Sequence, residues 1–194
     1  MAIKLKHSNT FSTYFITFTC IEWIPLFEIA KVYDMVYRWF AILKKECNAG
    51  VVSYVIMPNH LHVILHFHND DFNLNTIIAN GKRFMAYEII NQLEQTGNVE
   101  LLYRLESLVT ERERKKGQLH KVFKDSFDAK AIITHHFLMQ QINYIHNNPV
   151  TGKCPSERFC RAEMLVKDFI EYEHSSVSFY EIQLVKNTTG QCII

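Results

Sequence analysis

The first clear pattern in the chain is Thr13-Tyr-Phe-Ile-Thr-Phe-Thr-Cys20. This run of aromatic and β-branched residues suits a pleated surface and predicts a strand. From Val32 to Cys47 the period changes. Val32, Met35, Val36, Trp39, Phe40 and Leu43 form the stripe of an amphipathic helix, and Asn48-Ala-Gly50 supplies its stop. Val51–Met57 and His60–Phe67 again read as strands, and the tight Pro58-Asn59 link between them predicts an antiparallel hairpin. Asn73–Leu93 reads as a helix through Ile77, Ile78, Phe84, Met85, Ile89, Ile90 and Leu93, with Gly81 as an interior weakness. Val99–Lys116 is expected to be a further, more charged helix, an insertion near residues 98–118. A fourth strand is expected over His120–Phe127, through Val122, Phe123 and Phe127. A last helix is expected over Thr134–Asn147, with Phe137, Leu138, Gln141, Ile142 and Ile145 in its pattern, stopping before Pro149. From about Cys154 the tail has no strong period.

The resulting order, β-α-β-β-α-(α)-β-α, predicts an α+β protein. It matches a ferredoxin-like split βαβ arrangement, with a four-stranded antiparallel sheet and additional helices in a single domain spanning 1–194. The first and third strands are central in that topology. The hairpin strand that begins at His60 would then be a rigid interior element.

Composition narrows the class. The chain has 194 residues, 48% hydrophobic and 21% charged, as expected of a globular protein with a real core. No apolar run reaches the roughly 18 residues of a membrane span, and Met1–Thr10 has no signal-peptide core. A soluble, cytoplasmic protein without membrane contact is therefore expected. Five cysteines, at 20, 47, 154, 160 and 192, form no C-x-x-C pair and are expected to be reduced thiols. Net charge is +1, which does not announce a nucleic-acid partner, so local cation density matters more. The densest group is Arg112, Arg114, Lys115, Lys116, Lys121 and Lys124, interrupted by Glu113. It is a candidate for phosphate contacts or simply a solvated helix end.

Two stretches carry chemistry. In Met57-Pro-Asn-His-Leu-His-Val-Ile-Leu65, His60 and His62 are i and i+2 on a strand and so project from one face, while Leu61 points the other way. Two adjacent imidazoles are half of a divalent-metal site, and a third ligand must come from elsewhere. Of ten histidines, only this pair is taken to sit in a spacing with a mechanism. The second stretch is Asn143-Tyr-Ile-His-Asn-Asn-Pro-Val150, where Tyr144 and Asn148 share a helix face one turn apart. By residue physics alone Tyr144 is not separable from the chain's other tyrosines, which are mostly structural.

Together, Val55–Leu65 and Tyr144–Val150 resemble the REP-associated tyrosine transposases. These are single-tyrosine members of the superfamily of endonucleases named for a His-hydrophobic-His motif. The likeness extends to Thr13–Cys20, to Ile77–Leu93 with Lys82, to Val122–Ile132 and to His174-Ser-Ser-Val-Ser-Phe-Tyr180. Phe123 departs from the tryptophan common there, and Gly152-Lys-Cys154 departs from Gly-Leu-Val. The resemblance implies that His60 and His62 hold Mg²⁺ or Mn²⁺, with Asn148 as third ligand and His146 as the competing candidate. It implies that Tyr144 is the nucleophile, forming a 5′-phosphotyrosine link with single-stranded DNA near a hairpin, and that the protein works as a monomer or homodimer. The alternatives are a replication-initiator or relaxase-type nicking protein and a non-catalytic DNA-binding module.

Overall fold

In the computed structural model, which describes residues 11–151 and 165–180, strand β1 (Thr13–Thr19) sends Tyr14, Ile16 and Phe18 to one face of a sheet and Phe15 to the other. Strands β2 (Ala49–Met57) and β3 (His60–Phe67) form the expected hairpin. With β4 (Asp128–Ala131) they build one antiparallel sheet in the order β2-β3-β1-β4. β3 and β1 are thus central, as the ferredoxin-like split βαβ order requires.

One face carries the main core. A short helix, α1 (Leu26–Ile29), precedes α2 (Tyr33–Cys47), whose Met35, Val36, Trp39, Phe40 and Leu43 are buried. Beside it lies α3 (Leu74–Gln95), started by the Asn73 side chain, which accepts from the backbone N–H of Thr76 at 3.0 Å. Leu61, Val63, Leu65 and Phe67 of β3 join this core. Each such large side chain contributes roughly 1.5–3 kcal/mol by leaving water. Gly81 in α3 is explained by α2: a Cβ there would lie 2.6 Å from the Trp39 ring. The glycine weakens the helix locally but allows Trp39 to pack against its backbone.

The opposite face is covered by α6 (His135–Thr151) over a smaller cluster of Phe15, Val55, Met57, Ile64, Ile142 and Ile145. The segment after residue 165 makes a 3₁₀ turn, Phe169–Glu171, and then docks along the outer edge of β2. Ile56 N–H donates to His174 O at 2.8 Å, and Ser176 N–H donates to Tyr54 O at 3.0 Å. That edge strand therefore does not face water along this stretch.

Three expectations are corrected. The charged helix over Val99–Lys116 is two helices, α4 (Val99–Ser107) and α5 (Glu111–Arg114). Thr110 restarts the chain with a capping box to Glu113, satisfying N–H groups that a continuous helix would have used. The fourth strand is not His120–Phe127. Val122 and Phe123 are buried core residues, touching the sheet through one isolated bridge between Cys20 and Phe123, and the ladder forms at Asp128–Ala131. A short edge strand reading Asp-Ala-Lys-Ala has little intrinsic strand preference, so its position is set by pairing with β1. Finally, α6 continues through Pro149 to Thr151. Asn148 and Pro149 are both buried, and this packing overrides the usual helix stop before proline. The residues around Cys154 and Cys160 and the departure at Gly152-Lys-Cys154 lie outside the described residues, as does Cys192. Cys20 and Cys47 are free thiols.

Candidate active site

The Pro58-Asn59 turn is pinned from both sides. Cys20 N–H donates to Asn59 O at 2.8 Å and Phe27 N–H donates to Pro58 O at 3.0 Å. β3 leaves this turn with His60 and His62 buried on the face under α6, their ring centroids 4.7 Å apart. In register, Thr17 of β1 lies opposite His62.

Each ring is oriented through the same nitrogen. His60 Nδ1 lies 2.6 Å from Asn59 Oδ1, and the Asn59 amide N–H in turn donates to Trp23 O at 3.1 Å. An amide oxygen only accepts, so His60 Nδ1 carries the proton and Nε2 the lone pair. His62 Nδ1 lies 2.6 Å from Thr17 Oγ1, and with Nδ1–H donating there its lone pair is likewise on Nε2. Phe15 stacks on the His62 ring at 5.5 Å, and the Trp23 ring meets His60 edge-on at 5.6 Å. Burial holds the His60 imidazole down to about 4, opposed by a hydrogen bond with the Asn148 side chain. Burial, and then the neighbouring His60, hold His62 well below its ordinary value. Both rings are neutral at pH 7, the form in which imidazole ligates metals.

α6 brings the other side chains. Tyr144 is half exposed, yet its ring packs edge-on against His62 at 5.1 Å and Phe15 at 5.9 Å. Its hydroxyl lies 3.5 Å from His62 Nε2, a long contact reached within one chain. One turn further on, Asn148 is the residue whose side chain meets His60. His146 points elsewhere. Its Nε2 lies 3.0 Å from Ser176 Oγ and 3.3 Å from Ser53 Oγ, and the two serines are 3.0 Å apart. It serves as a buried clasp between α6, β2 and the C-terminal segment, and burial holds it down to about 4.

Among the described residues, no group of three or more His, Cys, Asp or Glu side chains is placed to hold a metal ion. The set His60, His62 and Asn148 has two neutral imidazoles and one amide oxygen. Its rings are oriented by partners on their far nitrogens, the usual way ligating histidines are held. This donor set fits a divalent cation that accepts both nitrogen and oxygen.

The six patch cations separate. Lys121 is buried, with Nζ 2.6 Å from Glu113 and 3.3 Å from Asp125, and Arg114 pairs with Glu106 at 3.2 Å. Those two are committed within the protein. Arg112, Lys115 and Lys116 are exposed. Lys124 Nζ sits 4.5 Å over the Trp23 ring and so belongs with the His60 end of the site. Its loop is held by Lys82, whose ammonium donates to the carbonyls of Lys124, Asp125 and Ser126. Asn59, Thr17, Trp23 and Phe15 are site residues missed in the sequence. Thr17 was recoverable from the β1–β3 register and Asn59 from its adjacency to His60, but nothing local marks Trp23.

No protein-family model matches this chain, and no curated protein matches it. Among solved structures, the chain is similar to a REP-associated tyrosine transposase bound to a REP hairpin. That match has 17% identity, covers 94% of this chain and 87% of the other, and has a TM-score of 0.58. A protein of Deinococcus radiodurans assigned as a transposase also matches, at 14% identity over 70% of this chain and 88% of the other, with a TM-score of 0.41. The first of these shows that this chain has the fold of a REP-associated tyrosine transposase.

Proposed function

We propose that this protein is a metal-dependent strand transferase for single-stranded DNA, acting at hairpin-bearing sequences, with Tyr144 as its nucleophile. The observation that carries this reading is the Tyr144 hydroxyl 3.5 Å from Nε2 of His62, beside a histidine pair whose Nδ1 atoms are engaged by Asn59 and Thr17 and whose Nε2 atoms face Asn148 and Tyr144. The hairpin bound to the solved relative supports the choice of substrate.

In this reading the Tyr144 oxygen attacks a DNA phosphorus and the P–O3′ bond breaks. The leaving oxygen takes a proton and becomes a free 3′-OH, and the 5′ side stays on the tyrosine as a phosphodiester. Attack by the 3′-OH of another strand reverses the step and restores the phenol, so strand transfer needs no nucleotide cofactor. A divalent cation, Mg²⁺ or Mn²⁺, held by His60, His62 and Asn148 would polarise the scissile phosphodiester and offset the charge developing on it. Nε2 of His62 has one lone pair, so its contact with the Tyr144 hydroxyl and ligation of a cation are alternatives at that atom. Asn59 and Thr17 keep the two rings in the orientation either use requires. Arg112, Lys115, Lys116 and Lys124 contact the DNA backbone, and Trp23 offers a ring face for an unpaired base.

The test is incubation of the purified protein with Mn²⁺ and hairpin-bearing single strands, resolved on a denaturing gel. The wild type forms a covalent protein–DNA adduct. Tyr144→Phe, which keeps the ring and its packing on Phe15, binds the same DNA and forms none. An adduct of undiminished yield in Tyr144→Phe refutes the assignment. A wild-type protein that shifts DNA without cutting it would instead be a binding module.

A further inference from the structure

β3 and the residue that follows it carry the same pattern twice. His66-Phe67-His68 repeats the spacing of His60-Leu61-His62, so the first pair is not alone in its arrangement. The backbone stays paired to the end of the repeat: Phe67 N–H donates to Ser12 O at 2.7 Å and His68 N–H donates to Asn48 O at 3.2 Å. The even-numbered residues therefore keep to one face, and His60, His62, Ile64, His66 and His68 lie along it in a row.

The two pairs share their ring geometry. Ring centroids are 4.8 Å apart in the second and 4.7 Å in the first, with interplanar angles of 82° and 79°. In each pair β1 supplies a threonine hydroxyl to one Nδ1, Thr13 to His66 at 2.8 Å and Thr17 to His62 at 2.6 Å. With Nδ1–H donating to Thr13, the lone pair of His66 lies on Nε2. On the other side, β2 places Gly50 opposite His66. His68 Nε2 lies beside Gly50, where a Cβ would stand 3.7 Å from it. His66 is half-buried and His68 exposed, so solvent ions reach both.

We propose that His66 and His68 form a second cation site, separate from the first, that takes a late first-row divalent ion such as Ni²⁺, Cu²⁺ or Zn²⁺. The two imidazoles supply the protein ligands and water completes the coordination. Such nitrogen donors favour these ions, and this pair lacks the side-chain amide oxygen that Asn148 adds to the first site, so Mg²⁺, which prefers oxygen ligands, is held less well here. Four residue steps along the strand take His62 to His66, roughly 13 Å, far beyond the spacing of ~3.5–4 Å in a two-metal catalytic centre. Ile64 lies between the pairs, under Ile142 and Ile145. The second ion is therefore independent of the first, and the inference does not rest on the DNA chemistry proposed above.

The test is calorimetric titration of the full chain with NiCl₂ and, separately, MgCl₂. His66→Gln/His68→Gln should bind one Ni²⁺ fewer than wild type, with its Mg²⁺ titration and its metal-free melting temperature unchanged. His60→Gln/His62→Gln should retain the Ni²⁺ equivalent that the other variant loses. Thr13→Val should weaken that equivalent about tenfold or more, the usual effect of removing a partner that orients a ligating histidine. Unchanged Ni²⁺ stoichiometry in His66→Gln/His68→Gln overturns the site. If the double variant does not fold, the exposed single change His68→Gln decides the matter, and wild-type Ni²⁺ affinity in it overturns the proposal equally.

Discussion

On the face covered by α2 and α3, β3 presents Leu61, Val63, Leu65 and Phe67 to an almost wholly apolar core. On the face covered by α6 it presents His60, His62 and Ile64, with buried Ser53, His146, Asn148 and Ser176 around them. The same strand thus packs an apolar core with its odd positions and sets buried polar groups among partners with its even ones. Apolar burial needs no particular partner. Each buried polar group must find one or cost roughly 1–3 kcal/mol. The α6 face meets that demand specifically: Asn59 for His60, Thr17 for His62, and the two serines for His146. Its architecture is therefore a set of orientations, which suits a reacting site. The other face is a packed volume.

Substitutions on adjacent residues separate these roles most sharply. His60→Ala or His62→Ala should reduce adduct formation below detection while the protein still melts cooperatively. Leu61→Ala, one residue away on the other face, should lose about 2–5 kcal/mol of stability in denaturant titration and keep its activity per folded molecule. Equal loss of activity in Leu61→Ala at a temperature where it is folded would dissolve the distinction between faces.

Acid should damage the α6 face selectively. Burial lowers His60 from 6.5 to about 4, so between those values the unfolded chain binds a proton that the folded chain refuses. Stability from this group is level above pH 6.5 and falls as pH drops to 4, by about 3 kcal/mol. His146 is lowered to about 4 as well and acts in the same direction. Chemical denaturation across pH 4–7 checks the slope. His146→Asn should flatten it, and an unchanged slope would remove His146 from the account.

A smaller effect is expected at the oriented ring. Thr17→Val removes the hydroxyl 2.6 Å from His62 Nδ1 and should weaken divalent-ion binding 10–100-fold, with little change in melting temperature. Smallest of all, changing Arg112, Lys115 and Lys116 to Gln should lower the salt slope of DNA binding by about one for each phosphate left without its cation. Adding Arg114 and Lys121 to that set should destabilise the loop rather than steepen the effect, since both are paired internally.

Much of this was legible from local period. β1, α2, β3 and α3 were readable because each strand or helix repeats its apolar residues at its own spacing, and alternation alone put His60 and His62 on the face opposite Leu61. Residues at the ends of elements were less legible. Asp-Ala-Lys-Ala becomes β4 because β1 needs a partner there, and Val122 and Phe123 satisfy the core without joining the ladder.

Which of Asn148 and His146 lies beside His60 was decided by tertiary structure. A helix ending at Asn147 would have left Asn148 unconstrained. Packing around Pro149 carries the helix on to Thr151, and Asn148 then sits one turn beyond Tyr144, on its face. His146 is rotated about 200° from Tyr144 by helix geometry and finds Ser53 and Ser176, which lie 93 residues before it and 30 after it. Periodicity reports which side of an element is buried. Which partner a buried polar atom meets depends on distant chain segments, and only the folded packing brings those together.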